Sequence, residues 1–170
     1  TKRTITALGG EMTVAAACKC RRAEQEAEKK REEQRRIDQR THDLRRRCFG
    51  HSALRECTFL RDDEKLPKIS AAMHRYSDNW DTRKADNMGS LLHGPVGSGK
   101  TFYAACIANA LIEKGISAKM TNFAEVVNEL QSSFSGRQDV LDELARVPLL
   151  VLDDLGIERD TSYMQEQVYN

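Results

Sequence analysis

No run of eighteen or more apolar residues occurs in these 170 residues, so no membrane-spanning helix is expected. No apolar segment follows the first charged residues, so no secretory signal is expected either. Cysteine is scarce and odd in number: five residues do not build a disulfide framework, and a reducing, cytoplasmic setting is expected. Net charge is almost lacking. At +1 the whole chain is no polycation, and any affinity for nucleic acid must come from how the charge is distributed.

What is present is a large share of charge, 31%, beside 39% apolar residues. That combination points to a folded core plus a heavily charged segment rather than a uniform domain. The length suits one domain with an appendage. The text opens on Thr1 and stops at Asn170 within a helical pattern, so a longer parent is expected.

The charged segment is Arg21 to Arg47, with eleven Lys/Arg and seven Asp/Glu, a local +4. Glu26/Lys30, Glu32/Arg36 and Asp43/Arg47 lie four apart with the acid first, the favourable order on a helix. Ala, Glu, Gln, Lys and Arg are good helix formers, so a helix is expected. Its few apolar residues, Ala23, Ala27, Ile37 and Leu44, sustain no heptad, and a long coiled coil is not. It is read as a solvated helix, with a nucleic-acid or partner-binding arm as the alternative. The arm holds no Phe, Tyr or Trp on which bases could stack.

Cys48 to Glu64 shows little period and is read as a connector. Ile69, Met73, Tyr76 and Trp80 then recur at helical spacing, as a packing stripe. From Ser90 onward two kinds of segment alternate. Leu91-Leu92-His93 reads as a short strand, Thr101 to Lys114 as a helix stopped by Gly115, and Ile116 to Met120 as a strand. Phe123 to Leu130 and the Val140-Leu141-Leu144 face read as helices. "VPLLVLDDLG" reads as a strand buried on both faces. Strand, helix, strand, helix, strand predicts an α/β fold with a parallel sheet. The expected divisions are a charged arm with Cys18-Lys19-Cys20 over 1–47, a connector and helix over 48–86, and the α/β part over 87–170.

Between the first strand and its helix stands "GPVGSGKT". Gly94, Pro95, Val96, Gly97, Ser98, Gly99, Lys100 and Thr101 match G-x-x-x-x-G-K-[ST], the phosphate-binding loop. A triphosphate needs many donors at short range, and backbone N–H groups supply them where no Cβ blocks the approach. The helix that follows adds its N-terminal dipole. Lys100 would reach the β- and γ-phosphates, and Thr101 would offer its hydroxyl to Mg²⁺. Fifty-three residues after Lys100, "LLVLDD" brings two acids to a strand end, where ligands bind in such sheets. Asp153 would hold Mg²⁺ through water, and Asp154 would orient or deprotonate an attacking water. Cys106, inside an apolar helix, is expected in the core, and His93 is expected to be a strand-end residue.

At these residues the sequence resembles the DnaC/DnaI-type helicase loaders, a branch of the AAA+ P-loop ATPases related to the IstB-type transposition helper ATPases. The resemblance rests on "LLHGPVGSGKTFYAACIANALIEKG", "KMTNFAEVVNEL", "PLLVLDDLGIERDTSYMQEQVYN" and the Asn79-Trp80 pair, and covers about half the chain, from Trp80 to Asn170. It implies an AAA+ core incomplete at the C-terminus and an ATPase in the parent protein. It also implies ATP and Mg²⁺ as cofactors, with a replicative DNA helicase and single-stranded DNA as partners. A neighbouring subunit usually completes such a site, so a homo-oligomer is expected. Gly94 to Thr101 are then the phosphate and Mg²⁺ ligands, and Asp153 and Asp154 the Walker B pair; Lys100, Asp153 and Asp154 carry the catalytic roles. Many AAA+ proteins have Glu at the second acid, and the shorter Asp154 implies slow turnover, with ATP acting as a switch. The family's sensor residues and arginine finger would follow Asn170. Its N-terminal zinc module is not matched by Cys18, Cys20, Cys48 and Cys57, whose spacing departs from that of zinc ligands, so zinc is not expected in this chain. Two other functions stay open: a transposition helper ATPase, and a nucleotide-gated adaptor without turnover.

Overall fold

A computed structural model describes residues 2–7, 10–15, 19–50, 52–132 and 136–155. They fall into two compact units, Thr1–Arg40 and Thr41–Asn170.

The first unit opens with strands β1 (Lys2–Ala7) and β2 (Gly10–Ala15), paired antiparallel from Lys2 opposite Ala15 to Ala7 opposite Gly10. This hairpin lies within the stretch expected to be a charged helical arm, and departs from that expectation. The signal was there: Thr4-Ile5-Thr6 and Thr13-Val14 are β-branched. Helix α1 (Lys19–Phe49) begins in this unit, and residues 20–40 are exposed throughout. Its order there is local. Arg36 pairs with Glu33 one turn away at 2.7 Å, and Gln34 donates to Asp38 at 2.8 Å.

The second unit is built around α4 (Lys100–Glu113), which is apolar nearly all round and therefore buried. Ala105, Ala108 and Ile112 pack against Cys48 and Phe49 from the last turn of α1 and against Ala118. Ile107 and Leu111 pack on its other side against Tyr76 and Trp80. The helix ends as expected. Gly115 adopts φ +79, its N–H reaches the Ile112 carbonyl at 2.9 Å, and Ile116 N–H reaches Leu111 at 3.0 Å, a Schellman closure. Cys106 is fully buried there.

The expected connector over Cys48 to Glu64 starts differently, because α1 runs on to Phe49. Desolvation of Cys48 and Phe49 holds that last turn, and the chain then makes two short 3-10 turns, Ala53–Glu56 and Phe59–Arg61. The packing stripe is also divided. Helix α2 (Pro67–Asp78) ends before Asn79 and Trp80 opens α3 (Trp80–Ala85), so Tyr76 and Trp80 are buried while Ile69 is exposed.

Strand β3 (Ala118–Asn122) leads through α5 (Phe123–Ser132) and α6 (Arg137–Arg146) to β4 (Leu149–Asp153). β3 and β4 pair in parallel, Ala118 opposite Leu149 and Asn122 opposite Asp153. Val126, Val140 and Leu144 form a third apolar cluster over this sheet's helices. A mixed α/β architecture with a parallel sheet thus matches the expectation, with two corrections. Leu91-Leu92-His93 joins no ladder: Leu91 and His93 are exposed, and the chain there borders a cavity instead of a paired strand. β4 is half-buried at every position rather than buried on both faces, because among the described residues its only strand neighbour is β3.

Candidate functional site

The loop Gly94 to Gly99 stands exposed on its first four residues and turns into α4 at its last two. Gly97 and Gly99 take φ +79 and +83, a region that side-chain-bearing residues rarely enter. Gly99 is the N-cap of α4, and its carbonyl accepts the Tyr103 N–H at 2.9 Å. The first amides of α4 therefore point back at the loop without intrahelical acceptors. Pro95 has no N–H to give. Its carbonyl accepts Ser98 N–H at 3.3 Å and so shapes the turn.

Lys100 folds back over the loop, its Nζ donating to the Gly94 and Pro95 carbonyls at 3.0 Å each. Thr101 Oγ1 donates to Asp153 Oδ1 at 3.2 Å, across 52 positions of sequence. α4 places Thr101 in its first turn, and the parallel register places Asp153 at the C-terminal end of β4, level with Asn122. Asp154 follows, exposed, with φ +54 in the left-handed region; such a non-glycine conformation is uncommon and turns the chain away from the strand.

Three cavities meet this region. One of about 710 Å³ lies between Gly89–Gly94 and β4, with Lys100, Asp153 and Asp154 on its wall. One of about 470 Å³ lies beyond the same strand ends, where Asn122, Glu125, Asp153 and Asp154 meet Arg47. One of about 270 Å³ lies on the far side of the loop, between Gly97–Gly99 with Phe102 and the turn Asp62–Leu66. The sequence-derived residues are thus not equally joined. Thr101 and Asp153 touch, Lys100 lies on the loop, Asp154 stands at the cavity edge, and Val96 is fully exposed.

Among the described residues no group of three or more His, Cys, Asp or Glu comes together as a metal cluster. Thr101 and Asp153 are nonetheless the hard oxygen donors that suit Mg²⁺, an ion that keeps several waters and takes phosphate oxygens for the rest.

Sequence reasoning missed the polar anchors of α4. Asn109, buried in the apolar helix, donates to the Leu54, Cys57 and Ala105 carbonyls at 3.0, 2.8 and 3.1 Å, so its two N–H groups serve three acceptors. Its carbonyl accepts Arg45 Nε at 3.0 Å, and Arg45 also pairs with Glu113 at 2.6 Å. A single amide within "CIANALIE" was the available signal, since a buried polar group requires partners. Tyr103 is the second anchor, its hydroxyl 3.2 Å from both carboxylate oxygens of Asp62. Burial, then the Asp62 charge and hydrogen bond, push its phenol above the ordinary value.

A glycine loop that caps a buried helix, with a strand-end carboxylate on that helix's first hydroxyl, defines the class of P-loop proteins. Within that class the sequence pattern of IstB-like ATP binding proteins matches residues 24–167, and the chain belongs to that family. The replicative helicase loader DnaI of Bacillus subtilis is 39% identical over 82 residues, 47% of this chain and 26% of its own length. The replicative helicase loader DnaC of Buchnera aphidicola (subspecies Baizongia pistaciae) is 30% identical over 130 residues, 69% of this chain and 51% of that protein. DnaC of Escherichia coli K12 is 26% identical over the same length. The chain therefore spans about half or less of the curated relatives it matches. No solved structure matches it significantly.

Proposed function

We propose that this chain binds ATP with Mg²⁺ at Gly94–Thr101 and Asp153, and that the protein it represents is an ATP-driven loader of a replicative DNA helicase. The observation that carries the nucleotide reading is the Thr101–Asp153 hydrogen bond beside the Lys100-capped loop. Lys100 spends its charge on two neutral carbonyls, so an incoming phosphate offers it a stronger, charge-assisted partner. The loop amides and the N-terminus of α4 hold the anion. Mg²⁺, when bound, would neutralise developing phosphate charge, held by Thr101 and Asp153. Asp154, turned out at the strand end, is the carboxylate available to orient a water or take its proton. The test is calorimetric titration of Mg·ATP into the chain and into its Lys100→Ala variant. Binding to the first and its loss, by more than tenfold, in the second is expected; equal affinities would remove the assignment. Asp153→Asn should weaken the Mg²⁺-dependent part of binding, while Asp154→Asn should keep binding and lose turnover in the parent protein.

The loader reading is supported by the names of the DnaI and DnaC relatives. The family description favours a second one, a transposition helper ATPase of the insertion-sequence type. Co-precipitation with purified replicative helicase or with a transposase separates them. The loader reading carries single-stranded DNA as a further partner, with homo-oligomers formed through the ATPase domains. Arg45, engaged with Asn109 and Glu113, is occupied in the fold, which leaves Arg46 and Arg47 as the exposed cations of that cluster. DNA affinity of the arm should be weak, steeply salt-dependent and reduced in Arg46→Glu/Arg47→Glu. Identical salt titrations would leave the arm as a spacer.

A further inference from the structure

We propose that Tyr103 and Asp62 are positioning residues for the phosphate loop, Tyr103 acting through Gly99 and Asp62 through Tyr103; this rests on the nucleotide-site reading above. The contact chain is continuous. Gly99 closes the loop at φ +83, and its conformation sets where the loop amides point. A Cβ built there would lie 3.5 and 3.6 Å from two carbons of the Tyr103 ring, so the ring forms the floor directly beneath that α-carbon. The ring is almost wholly buried and is braced by the edge-on ring of Phe102, centroids 5.4 Å apart. Its hydroxyl is then fixed by Asp62 at 3.2 Å.

Asp62 is itself tied down. Its Oδ1 accepts the Glu64 N–H at 3.2 Å, in a turn where Glu64 takes φ +56. The turn Asp62–Leu66 therefore faces Gly97–Gly99 across the cavity of about 270 Å³ and is linked to the loop through Tyr103. A phenylalanine would fill the floor almost equally well by volume. A buried phenol requires an acceptor, and meeting that requirement with a carboxylate places a negative charge beside a loop built for anions. What the pair adds is orientation: the donated hydrogen bond fixes the ring, and the ring fixes the last glycine of the loop. A phenol of ordinary pKa 10.0 is a donor at neutral pH, and burial and then Asp62 push Tyr103 further in that direction.

The experiment is a Mg·ATP titration with thermal unfolding of the nucleotide-free protein alongside, on Tyr103→Phe, Asp62→Ala, Asp62→Asn and the double variant Tyr103→Phe/Asp62→Ala. One positioning hydrogen bond corresponds to about a threefold to tenfold loss of affinity in Tyr103→Phe and in Asp62→Ala. The double variant should lose no more than either single one, because the two act as one unit. Asp62→Asn keeps an acceptor oxygen and should restore most of the affinity. Lowered melting temperatures with unchanged affinity, or losses that add in the double variant, would overturn the proposal. Lys100→Ala is the control: if it binds as the parent does, the nucleotide-site reading fails, whatever Tyr103 does.

Discussion

Two helices of this protein are made by opposite means. Residues 20–40 of α1 are highly charged, exposed and ordered by neighbours three and four apart, as in Arg36–Glu33. α4 has eight buried residues out of fourteen, and its polar side chains Asn109 and Tyr103 reach across 41 to 64 positions to find partners. The first helix is specified by propensity, and each residue contributes a few tenths of a kcal/mol. The second exists because it is enclosed, and single residues there carry whole contacts of the core. The phosphate loop is attached to the second kind. Its last glycine and Lys100 are extensions of a helix that cannot shift without breaking two clusters, which is how a loop of small residues is held still.

The largest break in this contrast should come from alkali, because it acts on two buried thiols at once. Burial pushes Cys48 and Cys106 up from 9.0 to about 12. Between those values the unfolded chain releases protons that the folded chain keeps, so stability is intact below pH 9 and is lost as pH rises towards 12. Urea midpoints should fall steadily over that window, and the fall should flatten in Cys48→Ala/Cys106→Ala; a flat profile in the parent would show that the thiols are not enclosed. Leu111→Ala should cost about 2–5 kcal/mol by urea denaturation, because it removes a fully buried side chain. Asn109→Ala leaves Arg45 and the Leu54 and Cys57 carbonyls without this partner and should cost about 1–3 kcal/mol by the same measurement. In the arm the same scale collapses. Ala27→Gly should cost about 1 kcal/mol of local helix, seen as lost far-ultraviolet ellipticity with no change in the core's unfolding midpoint. Ile37→Ala, at an exposed position, should stay within about 0.5 kcal/mol; a larger loss would mean that the arm is packed after all.

Legibility followed the same division. The charged helix, the apolar helix with its Gly115 stop, and the α5 and α6 helices could be read from period and caps, but of the expected Val140-Leu141-Leu144 face Leu141 is exposed and only Val140 and Leu144 are buried. The hairpin of Thr4–Thr6 and Val14 was harder to read because each six-residue strand carries only one or two large apolar residues, Ile5 in the first and Met12 and Val14 in the second, among Lys, Arg, Glu and Thr. Leu91–His93 carries a strand's composition, yet a strand needs a partner edge, and among the described residues these three pair with none and line a cavity of about 710 Å³. The candidate site was legible where chemistry is written in consecutive residues, from Gly94 to Thr101 and at Asp153-Asp154. Its supports were not, because Asp62 and Tyr103, or Arg45 and Asn109, have no common period.

By itself the sequence determined the helices α1 and α4, where α4 stops, and that a glycine-rich loop precedes it. Those properties come from short-range causes: side-chain volume, φ preference and hydrogen bonds within a few residues. Only the tertiary structure decided that Thr101 meets Asp153, that Asn109 ties α4 to the Leu54–Cys57 turn and to Arg45, and that the Tyr103 ring lies under Gly99. Those contacts form only once the apolar face of α4 is enclosed, since desolvation is what compels buried amides and phenols to find one another.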